Sequence, residues 1–123
     1  MTGKELFHRA LVLLNYTNPN GEVDERQSAE LYKRAAVIVN QVLADVQFIA
    51  DEKPTVLADM NSPLPVSEEV AVRVMVYGVA MHVAQSEGDG DNQQIMATTY
   101  NALRNAVPRA NRVRTDVLPC PMQ

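Results

Sequence analysis

The chain has 123 residues, of which 46% are hydrophobic and 21% charged, with a formal net charge of −4 and a single cysteine. This composition excludes a disordered chain and an intrachain disulfide, and the length suits one domain. The longest strongly apolar run, residues 74–84, would rise only about 16 Å as a helix, so we expect no membrane span across the ~30 Å hydrocarbon core of a bilayer. The acidic balance argues against a dedicated DNA-binding protein, and the lone cysteine indicates a reducing compartment.

The N-terminus predicts a first helix over residues 3–15. Thr2 and Glu5 fit a capping box, in which the hydroxyl accepts from a first-turn amide and the carboxylate reaches back to the N–H of the cap residue. Apolar residues then recur with a period of 3.6; they are Leu6, Phe7, Ala10, Leu11, Leu13 and Leu14. The segment TNPNG ends this pattern.

The second helix should be the longest element, capped by Asp24 and running to about Asp51. Its length of about 40 Å is more than a small domain usually needs, so we expect a kink or an early stop near residues 36–39. The apolar residues with helical spacing are Ala29, Leu31, Tyr32, Ala35, Ala36, Ile38, Val39, Val42, Leu43, Val46 and Ile49.

A proline-containing segment, residues 53–66, predicts an ordered surface loop, because each proline biases its predecessor away from helical geometry. Ser67 is then expected to cap a third helix. Beyond Arg73 this helix is apolar almost all round, which indicates burial inside the bundle or against another subunit. The candidate residues for subunit packing are Val74, Met75, Tyr77, Met81 and His82.

A short acidic turn separates the third helix from a fourth. Gly88 suits the left-handed conformation that ends a helix, and Asp91 is expected to cap a helix over about residues 92–106. Its apolar stripe consists of Ile95, Met96, Thr99, Tyr100, Leu103, Ala106 and Val107. Pro108 ends the helix, so we predict an all-α fold, a four-helix bundle-like domain over residues 1–108 with one long helix.

Residues 109–123 form a basic, proline-containing tail, with a short extended segment around residues 112–118. Residues 1–103 hold 7 Lys/Arg and 14 Asp/Glu, whereas residues 104–123 hold 4 Arg and 1 Asp. A solvated tail, docking on an acidic protein surface and contact with phosphates all remain open for this cluster. The residues we assign to a partner interface are Arg104, Arg109, Arg112, Val113, Arg114, Val117 and Leu118.

The sequence offers few candidates for catalytic or metal-binding residues. Glu5 and His8 match Glu-x-x-His, but a ferritin-like metal site needs a second such motif, which the sequence lacks. The acidic turn at residues 87–92 has oxygen ligands without the spacing of an EF-hand. His82 lacks a recognisable nucleophile nearby, and Cys120 has no adjacent His or Lys. We therefore expect no catalytic residue, cofactor or metal, and a metal-dependent helical enzyme is the weakest alternative.

The sequence resembles head-tail connector proteins of tailed bacteriophages and prophages over roughly residues 25–117. The resemblance rests on the segment SPLPV at 62–66, the step YGVA at 77–80, the acidic glycine turn that follows, and Tyr100 in the fourth helix. It implies a small adaptor that forms a ring, a dodecamer, beneath the portal after DNA packaging. Such a ring bridges the portal to stopper or tail-completion proteins while the genome passes through its channel.

The same resemblance implies a location in the phage neck, with assembly in the bacterial host cytoplasm and a monomer in isolation until it meets the portal. No sequence-specific contact with DNA is expected, and an acidic body suits a channel that does not grip phosphates. The alternative interpretation is a small helical protein-binding or regulatory module with no role in viral assembly.

Overall fold

The computed structural model of the chain describes residues 1–16 and 25–107, with side chains described from residue 33 onward in the second range. Within these ranges four helices pack around one hydrophobic core, and the only β-type pairing is an isolated bridge between Thr2 and Pro63. The predicted all-α, bundle-like fold is confirmed. The Asp24 cap and the extended segment at 112–118 lie outside the described residues.

Helix α1 (Gly3–Leu13) begins at the predicted capping box. The amide of Glu5 donates to Thr2 Oγ1 at 3.1 Å, and the amide of Thr2 donates to Glu5 Oε1 at 3.0 Å. The helix ends two residues earlier than predicted, because Asn15 adopts a left-handed conformation with φ of 62°. Its buried side chains are Leu6, Phe7, Ala10 and Leu11.

Helix α2 (Glu25–Ile49) is a single 25-residue element. It continues through residues 36–39, so the early stop predicted there is wrong; burial on one side of the helix outweighs the weak propensity of β-branched residues. The buried residues of this face are Ala35, Ile38, Val39, Val42, Leu43 and Val46. Ala36, which we assigned to the apolar face, is exposed.

Two side-chain amides of α2 hold the predicted loop at residues 53–66. Gln47 accepts from the amide of Thr55 at 2.9 Å and donates to its hydroxyl at 2.7 Å. Seven residues earlier, Asn40 accepts from the amide of Leu57 at 2.7 Å and donates to its carbonyl at 3.2 Å. Both amides lie on one side of α2 and act as hydrogen-bonding partners for an extended backbone, which orders the loop.

Helix α3 is continuous but not uniform. It starts as Glu68–Val70, widens to a π-helical turn over Ala71–Met75 and continues as an α-helix over Val76–Ser86. Ser67 caps it as predicted, accepting from the amide of Val70 at 3.2 Å. The π turn was not predicted, and around it three successive side chains are buried: Val74, Met75 and Val76.

Helix α4 (Gly90–Arg104) begins two residues earlier than predicted. Its N-cap is Asp89, not Asp91, because the Asp89 carboxylate accepts from the amide of Asn92 at 3.4 Å and from its side chain at 2.7 Å. Gly88 has the predicted left-handed conformation, with φ of 69°. Asp91 instead lies in the first turn of the helix.

The inward face of α4 is narrower than the predicted stripe. Met96 and Tyr100 are buried, and Val107 beyond the helix end is buried as well. Ile95 is 58% exposed, so its assignment to the core is wrong. One residue is about 100° of helical rotation, which turns Ile95 away from the buried face on which Met96 lies.

Candidate functional site

Helices α3 and α4 approach each other closely at Gly78. A Cβ placed on this glycine would lie 2.8 Å from Tyr100 Cε1 and 2.9 Å from Val42 Cγ1. The absence of a side chain therefore lets the phenol ring of α4 and a valine of α2 pack against the α3 backbone. Tyr100 is only 3% exposed in this position. The step YGVA and the tyrosine of the fourth helix thus meet at one point.

A polar cluster lies at the edge of this contact. The Tyr100 hydroxyl donates to Asp45 Oδ2 at 2.6 Å, and Arg104 Nη1 donates to the two oxygens of Asp45 at 3.1 and 3.0 Å. The guanidinium carbon of Arg104 is 5.9 Å from the centroid of the Tyr100 ring. Burial, followed by the hydrogen bond to Asp45, raises the pKa of Tyr100 well above its usual range. The three side chains connect α2 to α4.

Arg104 therefore has a different role from the one predicted. We assigned it to a partner interface with the arginines of the tail, but its side chain is bonded to Asp45 and is only 29% exposed. Asp45 lies 59 positions away in the sequence, so this pairing depends on the folded bundle. The other predicted interface residues lie outside the described residues: Arg109, Arg112, Arg114, Val113, Val117 and Leu118.

His82 lies near this cluster, half-buried on α3. Burial lowers its pKa, and the charge of Asp45 acts in the opposite direction. The Asp45 carboxylate already accepts from both Tyr100 and Arg104. Because Tyr100 and Arg104 both bind the Asp45 carboxylate, the cluster is suited to holding α4 against α2.

The five residues predicted to pack between subunits fall into two groups. Val74 is 7% exposed and Met75 is fully buried within this chain, so neither presents surface to a neighbour. Tyr77, Met81 and His82 are half-buried on the outer side of α3. Only these three retain surface for contact with another subunit.

Two shallow grooves meet at Val107, the last described residue. One, of about 440 Å³, lies between the end of α2, the loop and the start of α3, and the other, of about 240 Å³, lies between α3 and α4. Ser67, Val70 and Val107 line both. The described part of the chain thus ends beside two partly apolar surfaces, with Glu52 on the first and Glu69 on the second.

Of the two Glu-x-x-His residues, Glu5 has a structural role. The Glu5 carboxylate caps α1, and its hydrogen bonds with Thr2 lower its pKa. Glu5 and His8 are both exposed. In residues 1–16 and 25–107, no three His, Cys, Asp or Glu side chains form a group able to hold a metal ion.

The acidic turn is tied to the end of α1 by an interaction that the sequence did not predict. Tyr16 Oη donates to Asp89 Oδ2 at 2.9 Å, across 73 positions of sequence. Burial and this hydrogen bond raise the pKa of Tyr16 to about 12, whereas hydrogen bonds from Asn92 and Tyr16 lower the pKa of Asp89. Asp89 therefore acts as a cap and an anchor for the turn.

No protein-family model, curated protein or solved structure matches this chain. Among the helices of the described residues, none combines the length and the apolar character that a membrane span requires.

Proposed function

We propose that the chain is a structural head-tail connector of a tailed bacteriophage or prophage. In this role it forms a ring, a dodecamer, beneath the portal and bridges the portal to stopper or tail-completion proteins, with DNA passing through the channel. The observation that carries the proposal is the contact of Gly78 with Tyr100. This contact brings together two separate parts of the sequence pattern that resembles connector proteins, the step YGVA and the tyrosine of the fourth helix. The protein then resides in the phage neck and assembles in the host cytoplasm.

The outer side of α3 supplies surface for a ring contact. Tyr77 is half-buried and lines a shallow groove of about 300 Å³ with Val12 and Leu13 of α1, which are 42% and 37% exposed. A ring requires heterologous contacts, in which two different surfaces of one subunit meet their counterparts on two neighbours. A partly apolar groove between two helices suits one of these surfaces.

The charge distribution supports docking through the tail. With Arg104 neutralised by Asp45, residues 108–123 still hold three arginines and one aspartate, whereas residues 1–107 hold 8 Lys/Arg and 14 Asp/Glu. A basic segment that follows Val107 in the sequence suits an acidic surface on the portal. The acidic body suits the wall of a channel, because like charge disfavours binding of phosphates.

Binding to the portal protein of the same phage or prophage tests the tail. We expect the full-length chain to co-sediment with portal rings, and a variant with Arg109, Arg112 and Arg114 replaced by Ala to bind at least tenfold more weakly. Arg73→Ala is the matched control, because Arg73 is an exposed arginine of the body, paired with the exposed Glu69 at 3.6 Å. Equal affinity of the triple variant and the wild type would contradict docking through these charges.

A small helical protein-binding or regulatory module is the second candidate. It is favoured by the large apolar side chains that the bundle leaves exposed, since Phe48 is 77% and Val56 79% exposed. Such surfaces mark contacts with partner proteins in general and do not require a ring. A chain that captures one host protein at one-to-one stoichiometry and ignores the portal would support this candidate.

A further inference from the structure

The last described residues turn back onto the bundle. Helix α4 ends at Arg104 and is followed by two turn hydrogen bonds. The amide of Ala106 donates to the Leu103 carbonyl at 3.0 Å, and the amide of Val107 donates to the Arg104 carbonyl at 3.2 Å. Val107 is only 4% exposed after this turn. The chain therefore reaches position 108 against the bundle and not at the free end of a helix.

The larger of the two grooves that meet at Val107, of about 440 Å³, has an apolar floor. Val46 of α2 and Leu64 of the loop form this floor and are 1% and 8% exposed. Val66 and Val70 also line the groove and are half-buried. We refer to this surface as the Val107 groove.

Glu52 gives the Val107 groove a negative charge. It is the one ionisable side chain among the described residues that line the groove. Its backbone is fixed there, because its amide donates to the Gln47 carbonyl at 2.9 Å. Among the described residues, the carboxylates in ion pairs are those of Asp45, Glu69 and Glu87, so no described cation pairs with Glu52. The groove therefore suits an occupant that is partly apolar and carries a positive charge.

The segment that follows Val107 in the sequence has this chemistry. Residues 108–111 read PRAN, with a cation between two small apolar residues. A proline favours extended geometry in the residue before it, and an extended chain advances about 3.3 Å per residue, so four residues cover roughly 13 Å. Side chains alternate along such a chain, which places Pro108 and Ala110 on one side and Arg109 on the other.

We propose that residues 108–111 dock in the Val107 groove of the same chain. Pro108 and Ala110 cover part of its apolar surface, and the Arg109 guanidinium pairs with the Glu52 carboxylate. An exposed ion pair contributes little by itself. The segment is joined to the edge of the groove, however, so its docking is intramolecular and occurs at a high effective concentration.

This docking is a property of the free chain and goes beyond the proposed connector role. If Arg109 also docks on the portal, the two contacts exclude each other, since one guanidinium cannot serve both. The groove then competes with the portal for the start of the tail. The experiments below use the isolated chain, so their failure would leave the proposed function untouched.

Disulfide formation in the dilute full-length chain tests the docking. Pro65→Cys and Ala110→Cys are combined in a Cys120→Ser background, because Pro65 is an exposed residue that lines the groove. The control pairs Ala110→Cys with Asn101→Cys, an exposed position outside the groove, six residues before Val107 and about 9 Å from it along α4. We expect the groove pair to form an intramolecular disulfide at least tenfold faster than the control.

Equal rates for the two pairs would overturn the proposal, because they would show that the segment has no preference for the groove. Disulfide-linked dimers as the main product of the groove pair would overturn it as well, since they would place the segment in the groove of a second copy.

The ion pair is tested by adding Glu52→Gln to the groove pair of Pro65→Cys and Ala110→Cys. We expect disulfide formation to become at least threefold slower, and raising the salt concentration to 1 M should slow only the chain that retains Glu52. Glu68→Gln is the matched control, because Glu68 is an exposed carboxylate that does not line the groove, and it should leave the rate unchanged. An unchanged rate in Glu52→Gln, or equal slowing by both substitutions, would overturn the pairing of Arg109 with Glu52.

Discussion

The phenol ring of Tyr100 occupies the space that a side chain at position 78 would need. A Cβ on Gly78 would lie 2.8 Å from Tyr100 Cε1, closer than such atoms approach in proteins. The ring cannot easily move away, because its hydroxyl is hydrogen-bonded to Asp45 at 2.6 Å. The glycine of α3, the tyrosine of α4 and the aspartate of α2 therefore form one connected unit, which runs from the core to the partly exposed Asp45 carboxylate.

Gly78→Ala should destabilise the fold. Alanine favours a helix over glycine by about 1 kcal/mol, but overpacking a core typically costs about 1 to 3 kcal/mol, and here two neighbours must shift. We expect a net loss of roughly 1 kcal/mol in the free energy of unfolding, measured by urea denaturation. Gly90→Ala is the control, because no atom lies within 4 Å of a Cβ placed there, and it should not destabilise the chain. A stabilised Gly78→Ala variant would contradict this packing.

Tyr100→Phe should lower the free energy of unfolding by about 1 to 2 kcal/mol, because it removes a hydrogen bond to a charged acceptor while keeping the ring. The Asp45 side chain is 34% exposed, which favours the lower end of this range. A double-mutant cycle with Arg104→Gln should reveal coupling, since both residues bind Asp45. Strictly additive effects would mean that the three side chains do not act as a unit. Arg73→Gln, on an exposed pair, should have little effect.

Gln47→Ala should release the loop at residues 53–66 from α2. The buried Gln47 makes two hydrogen bonds with Thr55, so its removal exposes that part of the backbone to water. We expect faster hydrogen exchange at the Thr55 amide and a loss of about 1 to 2 kcal/mol in stability. Gln41→Ala alters the same residue type on the exposed side of α2 and should leave exchange unchanged. Unaltered protection in Gln47→Ala would show that the loop is held by other contacts.

Acidification should destabilise the chain through His82. Burial lowers its pKa in the folded state below the ordinary value of 6.5, so the unfolded chain binds the proton first as the pH falls. The resulting loss of folding stability is absent well above pH 6.5 and grows as the pH decreases through that value. His82→Gln should lose less stability than the wild type between about pH 7.5 and 5.5. His8→Gln, on the exposed side of α1, is the control, and identical profiles for His82→Gln and the wild type would contradict this role.

Local signals in the sequence predicted most of the helical architecture. Three such features depend on residues within a few positions of one another and could therefore be predicted from the sequence. They are the capping box at Thr2, the Ser67 cap and the left-handed Gly88. The cap of α4 was missed because two aspartates, Asp89 and Asp91, are equally suited by type. Asp89 is also bound by Tyr16, from a distant part of the chain, and no local pattern indicates that contact.

The polar cluster could not be predicted, because its members are 55 and 59 positions apart in sequence. In the sequence, Arg104 belongs to the basic C-terminal group. In the structure it lies one helical turn beyond Tyr100 on α4, and both side chains bind Asp45. Asn40 and Gln47 did carry a signal, since they are amides seven positions apart that flank the apolar face of α2. Their partners are loop backbone, which has no periodicity to reveal the contact.

The most direct test of the proposed connector role is electron microscopy of portal rings from the same phage or prophage, mixed with an excess of the full-length chain. The account predicts an added ring of helical density beneath the portal, twelve copies of this chain, with tail residues 109–118 against the portal surface. Portal rings without added density, together with a chain that remains monomeric in their presence, would contradict it.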